Sequence, residues 1–100
     1  DPTTPPHYIG PNVDIKRSFI TQGCMIDGEV KNSVLFTSAK IDTGARVIDS
    51  VLMPGVIVEA GAVVQRALVA DGVRIGKNAV VGSPDSEHIE LVAKRVKGAE

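Results

Sequence analysis

The chain has 100 residues, enough for one domain with a modest core, and its formal net charge of −1 argues against a nucleic-acid or anionic-membrane surface. Aromatic residues number only three (Tyr8, Phe19 and Phe36) while Val, Ile and Ala are plentiful, which suits a narrow interior of stacked aliphatic side chains. The single cysteine, Cys24, excludes an internal disulfide and fits a reducing, cytoplasmic compartment, and with no signal peptide or bilayer-length apolar run the chain reads as soluble.

Residues 1–8 are rich in Pro and Thr, and consecutive prolines favour an extended connector over a sheet strand. This segment is expected to be the linker from an N-terminal domain, with 9–100 as a β-helix domain whose residues 82–100 are less regular. From Ile9 onward a phrase recurs. It begins at Ile9, Ile26, Ile41, Val58 and Ile75, at intervals of seventeen residues except for one of fifteen between Ile26 and Ile41. Each turn divides into short phrases such as IDTGAR, VIDSVL and MPGVI, each opening on an apolar residue. A fixed period means stacked units, each of which must borrow a wall from its neighbours to bury its apolar face. Phrases of five or six residues are too short for a helix plus a strand. They fit one short strand and one turn each, three to a coil. The predicted fold class is therefore all-β, a single-stranded parallel β-helix of about five coils with a roughly triangular section.

Side chains alternate across a strand, so the residue that opens a phrase and the residue two before it are expected to point inward. On the first two walls the openers are Ile26, Ile41, Val58 and Ile75, then Val30, Val47, Val64 and Val81. On the third wall they are Thr21, Phe36, Met53 and Ala70, with Phe19, Val34, Val51 and Leu68 as inward partners. Cys24 is expected inside as a small core residue. The five-residue phrases TQGCM, MPGVI and ADGVR place Gly23, Gly55 and Gly72 alike, with Ser38 in the same place in FTSAK. A corner shortened by one residue is expected to need the left-handed backbone that glycine adopts freely. On this register Ile20, Leu35, Leu52 and Val69 face outward, one per coil. They form a candidate interface stripe for another domain or subunit.

After Val81 the pattern loosens at GSPDSEH. The tail scans either as a further partial coil, with Val92 seventeen residues after Ile75, or as a helix with Ile89, Val92, Ala93 and Val96 on one face. A partial coil is the favoured reading. The tail's Lys94, Arg95 and Lys97 are candidate contacts for a phosphorylated effector. A solvated charged end is the simpler account of them.

The segments PPHYIGP, SFITQGCMIDGEVKNSVLF and DSVLMPGVIV together resemble the C-terminal domain of the glucose-1-phosphate adenylyltransferases, over about residues 5–81. The resemblance implies that the coil is left-handed. It also implies a parent enzyme that makes ADP-glucose and pyrophosphate from ATP and glucose 1-phosphate, for glycogen or starch, using Mg2+ with ATP. That chemistry belongs to an N-terminal catalytic domain with a Gly-rich loop, a metal-binding Asp and a sugar-phosphate Lys, none of which is matched here. The implied partners are that catalytic domain and a homo- or hetero-oligomer, a tetramer in the family. A phosphorylated allosteric effector is implied at the cleft between domains. No catalytic, cofactor-binding or metal residue is assigned.

Three rivals remain on the residues alone. A hexapeptide acyltransferase needs a His general base at a coil edge, and the two histidines, His7 and His88, lie in the linker and the late loop. A related sugar-nucleotide pyrophosphorylase, or a catalytically silent paralogue, is equally compatible with the fold.

Overall fold

A computed structural model describes residues 8–11 and 13–100, and the segment 1–7, which includes most of the expected linker, lies outside them. Fifteen strands of two or three residues follow one another among the described residues. The first circuit is β1 (Tyr8–Ile9), β2 (Ile15–Lys16) and β3 (Phe19–Ile20), so Tyr8 already belongs to the coil. Next come β4 (Met25–Ile26), β5 (Glu29–Lys31) and β6 (Val34–Leu35), then β7 (Lys40–Ile41), β8 (Arg46–Ile48) and β9 (Val51–Leu52). The last two circuits are β10 (Ile57–Val58), β11 (Val63–Gln65) and β12 (Ala67–Val69), then β13 (Arg74–Ile75), β14 (Val80–Val81) and β15 (Glu90–Val92).

Every third strand pairs with the one before it, giving three parallel sheets of five strands. The first wall is β1-β4-β7-β10-β13, the second β2-β5-β8-β11-β14 and the third β3-β6-β9-β12-β15. This is the parallel β-helix that the period predicts. Ile26 pairs with Ile41, Ile41 with Val58 and Val58 with Ile75, so the residues spaced by the repeat stand on one wall, all fully buried. On the second wall Val30, Val47 and Val64 stack in the same way. Each such Val or Ile contributes roughly 1.5–3 kcal/mol by burial. The main chain is satisfied by hydrogen bonds from coil to coil, for example Lys40 N–H to Val56 O at 2.8 Å and Ile57 N–H to Val73 O at 3.0 Å.

The third wall departs from expectation by one residue. Leu35, Leu52 and Val69 are completely buried and Ile20 is half-buried, so the candidate interface stripe is the inner rung of this wall. Phe19 (66% exposed), Val34, Val51 and Leu68 point outward instead, as do Phe36 and Met53, while Ala70 is half-buried and packs against the core. The reason is where the short corner falls. Inner rungs occur at Ile41, Val47, Leu52 and Val58, so the five-residue step lies between the second and third walls and the glycine corners span six. Gly55 and Gly72 do adopt left-handed backbone, with φ of 74° and 68°, as does Ser38 at 64°. The short corner also uses it, with ordinary residues: Arg17, Asn32, Asp49 and Arg66 have φ between 46° and 52°. Asn and Asp tolerate this conformation better than most side chains do, and Asn32 Nδ2 donates to Asp49 Oδ1 at 2.8 Å to link two of them.

Behind each of these residues sits a small one turned inward. Ser33 and Ser50 are buried and form a hydroxyl ladder up the corner. The N–H of Ser33 donates to Ser18 Oγ at 3.1 Å, that of Ser50 to Ser33 Oγ at 3.0 Å and that of Ala67 to Ser50 Oγ at 3.1 Å. Each Oγ in turn donates to the carbonyl two residues back, at 2.8 Å. The corner thus satisfies inside the coil the backbone groups that its tight bend would strand. The shortened phrase IDGE needs Gly28 for a different reason. A Cβ there would collide with the carbonyl oxygens of Ala45 and Asp42 one coil above.

The tail completes a partial coil, and no helix forms over 86–98. Its register differs from the expected one, because Val92 pairs with Val69 on the third wall and Val96 bridges to Ile75 on the first. The loop 83–88 is inserted at the short corner, where the serine ladder has ended at Ala67. The strap beyond it seals the core: Gly76 N–H donates to Val96 O at 2.8 Å, and Gly98 lies against Gly76 so closely that no Cβ fits between them.

Candidate docking face

The three outer surfaces differ sharply in charge. On the first wall the outward residues include Lys40 and Arg74, and on the second they include Lys16, Glu29, Lys31 and Arg46. Here one ion pair on each wall joins neighbouring coils, Glu29 with Arg46 and Glu59 with Arg74, while Lys31 meets Glu29 within one strand. Glu29 Oε1 lies 3.2 Å from Arg46 Nε and its Oε2 3.2 Å from Lys31 Nζ, while Glu59 Oε2 lies 2.6 Å from Arg74 Nη1. Desolvation pushes the Glu29 carboxyl up, but the hydrogen bonds and charges of Lys31 and Arg46 together outweigh it and hold the group below the ordinary carboxylate range. The Arg74 hydrogen bond, with the Lys77 N–H and the charges of Arg74 and Arg95, does the same for Glu59 against a smaller desolvation.

The third wall carries no such pairs. Its outward file runs Phe19, Val34, Val51, Leu68 and Leu91, each paired with the next across the sheet, and none is charged. Phe19 and Leu91 at the two ends are 66% and 74% exposed. A second file, Thr21, Phe36, Met53 and Ala70, flanks the buried row on its other side and is also uncharged. Between the files an apolar groove of about 270 Å3 opens toward Leu91, lined by Met53, Leu68 and Ala70 and edged by Asp71. Exposed apolar side chains in contiguous register are the mark of a surface covered by another body. An apolar stripe on the third wall was legible in the sequence, and alternation assigned it to the wrong residues of that wall.

The other sequence candidates are dispersed. Lys94, Arg95 and Lys97 are exposed on the terminal strap. Of the three, Arg95 lies close enough to Glu59 to act on its charge. Cys24 is buried as expected, its thiol pushed up by desolvation and donating to Phe36 O at 3.3 Å, the chemistry of a packed residue and not of a nucleophile. His88 sits in the exposed loop, its main chain tied to Ser86 Oγ, and His7 lies outside the described residues. No group of three or more His, Cys, Asp or Glu residues that could hold a metal occurs among the described residues. Among these residues no helix is long and apolar enough to cross a membrane.

A triangular parallel coil of this kind defines the hexapeptide-repeat class, and residues 8–96 match the family described as GlmU-like, C-terminal hexapeptide; the chain belongs to that family. Among individual proteins it is similar to the glucose-1-phosphate adenylyltransferase of Acetivibrio thermocellus, 37% identical over 91 residues that make up 91% of this chain and 21% of the relative. It is also similar to the glucose-1-phosphate adenylyltransferase of Bacillus cytotoxicus, 36% identical over 97 residues, 96% of this chain and 26% of the relative. A third, from Bacillus thuringiensis strain Al Hakam, is 38% identical over 81 residues, 81% of this chain and 17% of its own length. The chain thus spans about a quarter or less of the length of these relatives.

Proposed function

We propose that this chain is the β-helix domain of a glucose-1-phosphate adenylyltransferase, a cytoplasmic enzyme joining ATP and glucose 1-phosphate into ADP-glucose and pyrophosphate for glycogen or starch synthesis. In this reading the domain is a scaffold for assembly and allosteric control, and Mg2+ with ATP is handled by a catalytic domain elsewhere in the longer polypeptide. The observation that carries the reading is the uncharged outer file of the third wall, on a chain whose other two walls mix charged with apolar residues. A free-standing domain gains nothing from such a face, whereas one held against a neighbour does. The relatives supply the reaction. The acyltransferase alternative has less support, because His88, the one histidine among the described residues, sits on an exposed loop whose hydrogen bonds are internal to it.

The test uses the full polypeptide that contains this chain, incubated with ATP, glucose 1-phosphate and Mg2+. ADP-glucose formation is expected, as is a tetramer by native mass spectrometry that Leu68→Lys destabilises. Absence of turnover, with turnover instead on an acyl-CoA substrate, would replace this reading with the rival.

A further inference from the structure

We infer that the first coil, residues 8–20, is a detachable unit: it undocks from the second coil as a whole while the rest of the prism stays folded, so whatever precedes it in the polypeptide acts on the domain by shifting that equilibrium. The undocking stands on the coil's own residues. That the preceding body is a catalytic domain rests on the function proposed above.

Three observations lead there. The first is charge. On the outer face of the second wall Lys16 of β2 stands directly opposite Lys31 of β5, and on the inner face Ile15 stands opposite Val30. Asp14, one place before Ile15, therefore faces Glu29. Both outward pairs across this seam are like-charged, an arrangement that destabilises neighbouring strands. The opposite charges that relieve them lie within one coil, Lys16 Nζ at 3.9 Å from Asp14 Oδ2 and Lys31 Nζ at 3.2 Å from Glu29 Oε2. Among the described residues no ion pair crosses from the first coil to the second. Other seams differ. Glu29 meets Arg46 between the second and third coils and Glu59 meets Arg74 between the fourth and fifth, while between the third and fourth Arg46 faces the uncharged Val63.

The second observation is the corner between the first and second walls. Higher in the stack it is bonded from coil to coil, Gly61 N–H donating to Thr43 O at 3.1 Å and Asn78 N–H to Ala60 O at 3.0 Å. The second coil passes this corner two residues short of the others, as Asp27-Gly28-Glu29. Among the described residues no corner bond of this kind joins it to the first coil. The third is how the prism ends. At the C-terminal end the strap closes over Ile75, Val81 and Val92, all buried. At the N-terminal end Ile9 is 44% exposed and Ile15 and Ile20 are half-buried, so the rungs of the first coil gain least from docking. In a stack whose stability is close to a sum of coil and nearest-neighbour terms, the coil with the poorest rungs and the weakest seam opens before the rest.

Hydrogen exchange of the full polypeptide, read at single amides by mass spectrometry with electron-transfer fragmentation, tests this. The reporters are the N–H groups of Phe19 and Thr21, which donate to Ser33 O and Leu35 O, and those of Val30 and Asn32, which donate to Asp14 O and Lys16 O. They are expected to share one protection factor, at least about tenfold below that of the Lys40 and Arg46 N–H groups, which donate to Val56 O and Ala62 O in the coil above. Asp14→Lys combined with Lys16→Glu keeps the net charge and turns both facing pairs from like to opposite. This double variant is expected to raise the reporters' protection roughly tenfold, less in about 1 M salt, and to leave Lys40 and Arg46 unchanged. Equal protection across all these amides would overturn the inference. So would protection that declines residue by residue toward Tyr8, which is fraying and not the release of a unit, or reporters that the double variant does not move. Assaying ADP-glucose formation on the same polypeptide keeps the two readings apart, since the enzyme reading falls on lost chemistry and the detachable coil on the exchange pattern.

Discussion

Ser50 shows how much of this fold depends on small polar groups in an apolar interior. Its hydroxyl accepts the Ala67 N–H and donates to Ile48 O, so Ser50→Ala strands the Ala67 N–H in a buried corner, while Ile48 O keeps the Arg66 N–H at 3.0 Å. A buried unsatisfied group costs about 1–3 kcal/mol, and the variant is expected to lose stability on that scale in urea denaturation. Ser18→Ala, at the exposed start of the same ladder, is expected to cost less, because water reaches the groups it frees. Equal losses at both positions would show that the ladder does not carry the corner. The carboxylates act at the same scale with a known sign. Glu29 and Glu59 have folded-state values held below their unfolded ones. Their contribution is therefore present above the ordinary carboxylate range and is lost as pH falls through the folded values. Thermal midpoints are expected to drop between about pH 6 and about pH 3, roughly three orders in proton activity that span the ordinary Glu value of about 4.3, and the drop is expected to be shallower in Glu29→Gln. High salt should narrow the difference, since both pairs are partly exposed.

At the scale of the element, the third wall distinguishes two leucines that look alike in the sequence. Leu52 is an inner rung with no exposure, and Leu68 is an outward residue one coil later and one register position over. Leu52→Lys buries an unpaired charge in the coil and is expected to abolish cooperative unfolding altogether, as Val58→Asp is on the first wall. Leu68→Lys is expected to leave circular dichroism and melting temperature close to the parent. Had the stripe of Leu35, Leu52 and Val69 faced outward, these two outcomes would be exchanged. Melting curves of the two variants side by side decide the register directly. The tail strap is an element of a second kind. Val92 and Val96 close the last coil over Ile75, so truncation after Val81 is expected to lower the melting temperature by opening the core to water.

Viewed whole, the molecule is a prism whose faces carry different duties. Two faces mix charged and apolar residues and each has one ion pair joining neighbouring coils, and the outward file of the third is apolar without such a pair. Stability is close to a sum of coil terms and nearest-neighbour stacking, as in other solenoids. A partner on the third face can therefore be gained or lost without reorganising the core. Incubated alone with ATP, glucose 1-phosphate and Mg2+, the present chain is expected to form no ADP-glucose. Turnover above background would place chemistry on the coil itself and overturn the division of labour proposed above.

The period and the apolar phrase openings by themselves determined that the chain stacks as a parallel three-walled coil, and they placed the inner rungs of two walls. There some rungs are single apolar residues flanked by polar or small ones (Glu29-Val30-Lys31, Lys40-Ile41-Asp42, Arg74-Ile75-Gly76), and only one register of their wall buries them. On the third wall the apolar residues come in runs, Val34-Leu35-Phe36 and Val51-Leu52-Met53. Either register then buries an aliphatic row, and hydrophobicity cannot choose between them. Tertiary structure made that choice. The tight left-handed corner at Asn32 and Asp49, with serines small enough to turn inward behind it, takes the short step itself and carries every later residue of the wall one place round. A corner's length is set by how neighbouring coils hydrogen-bond across it, and that relation exists only once the coils are stacked.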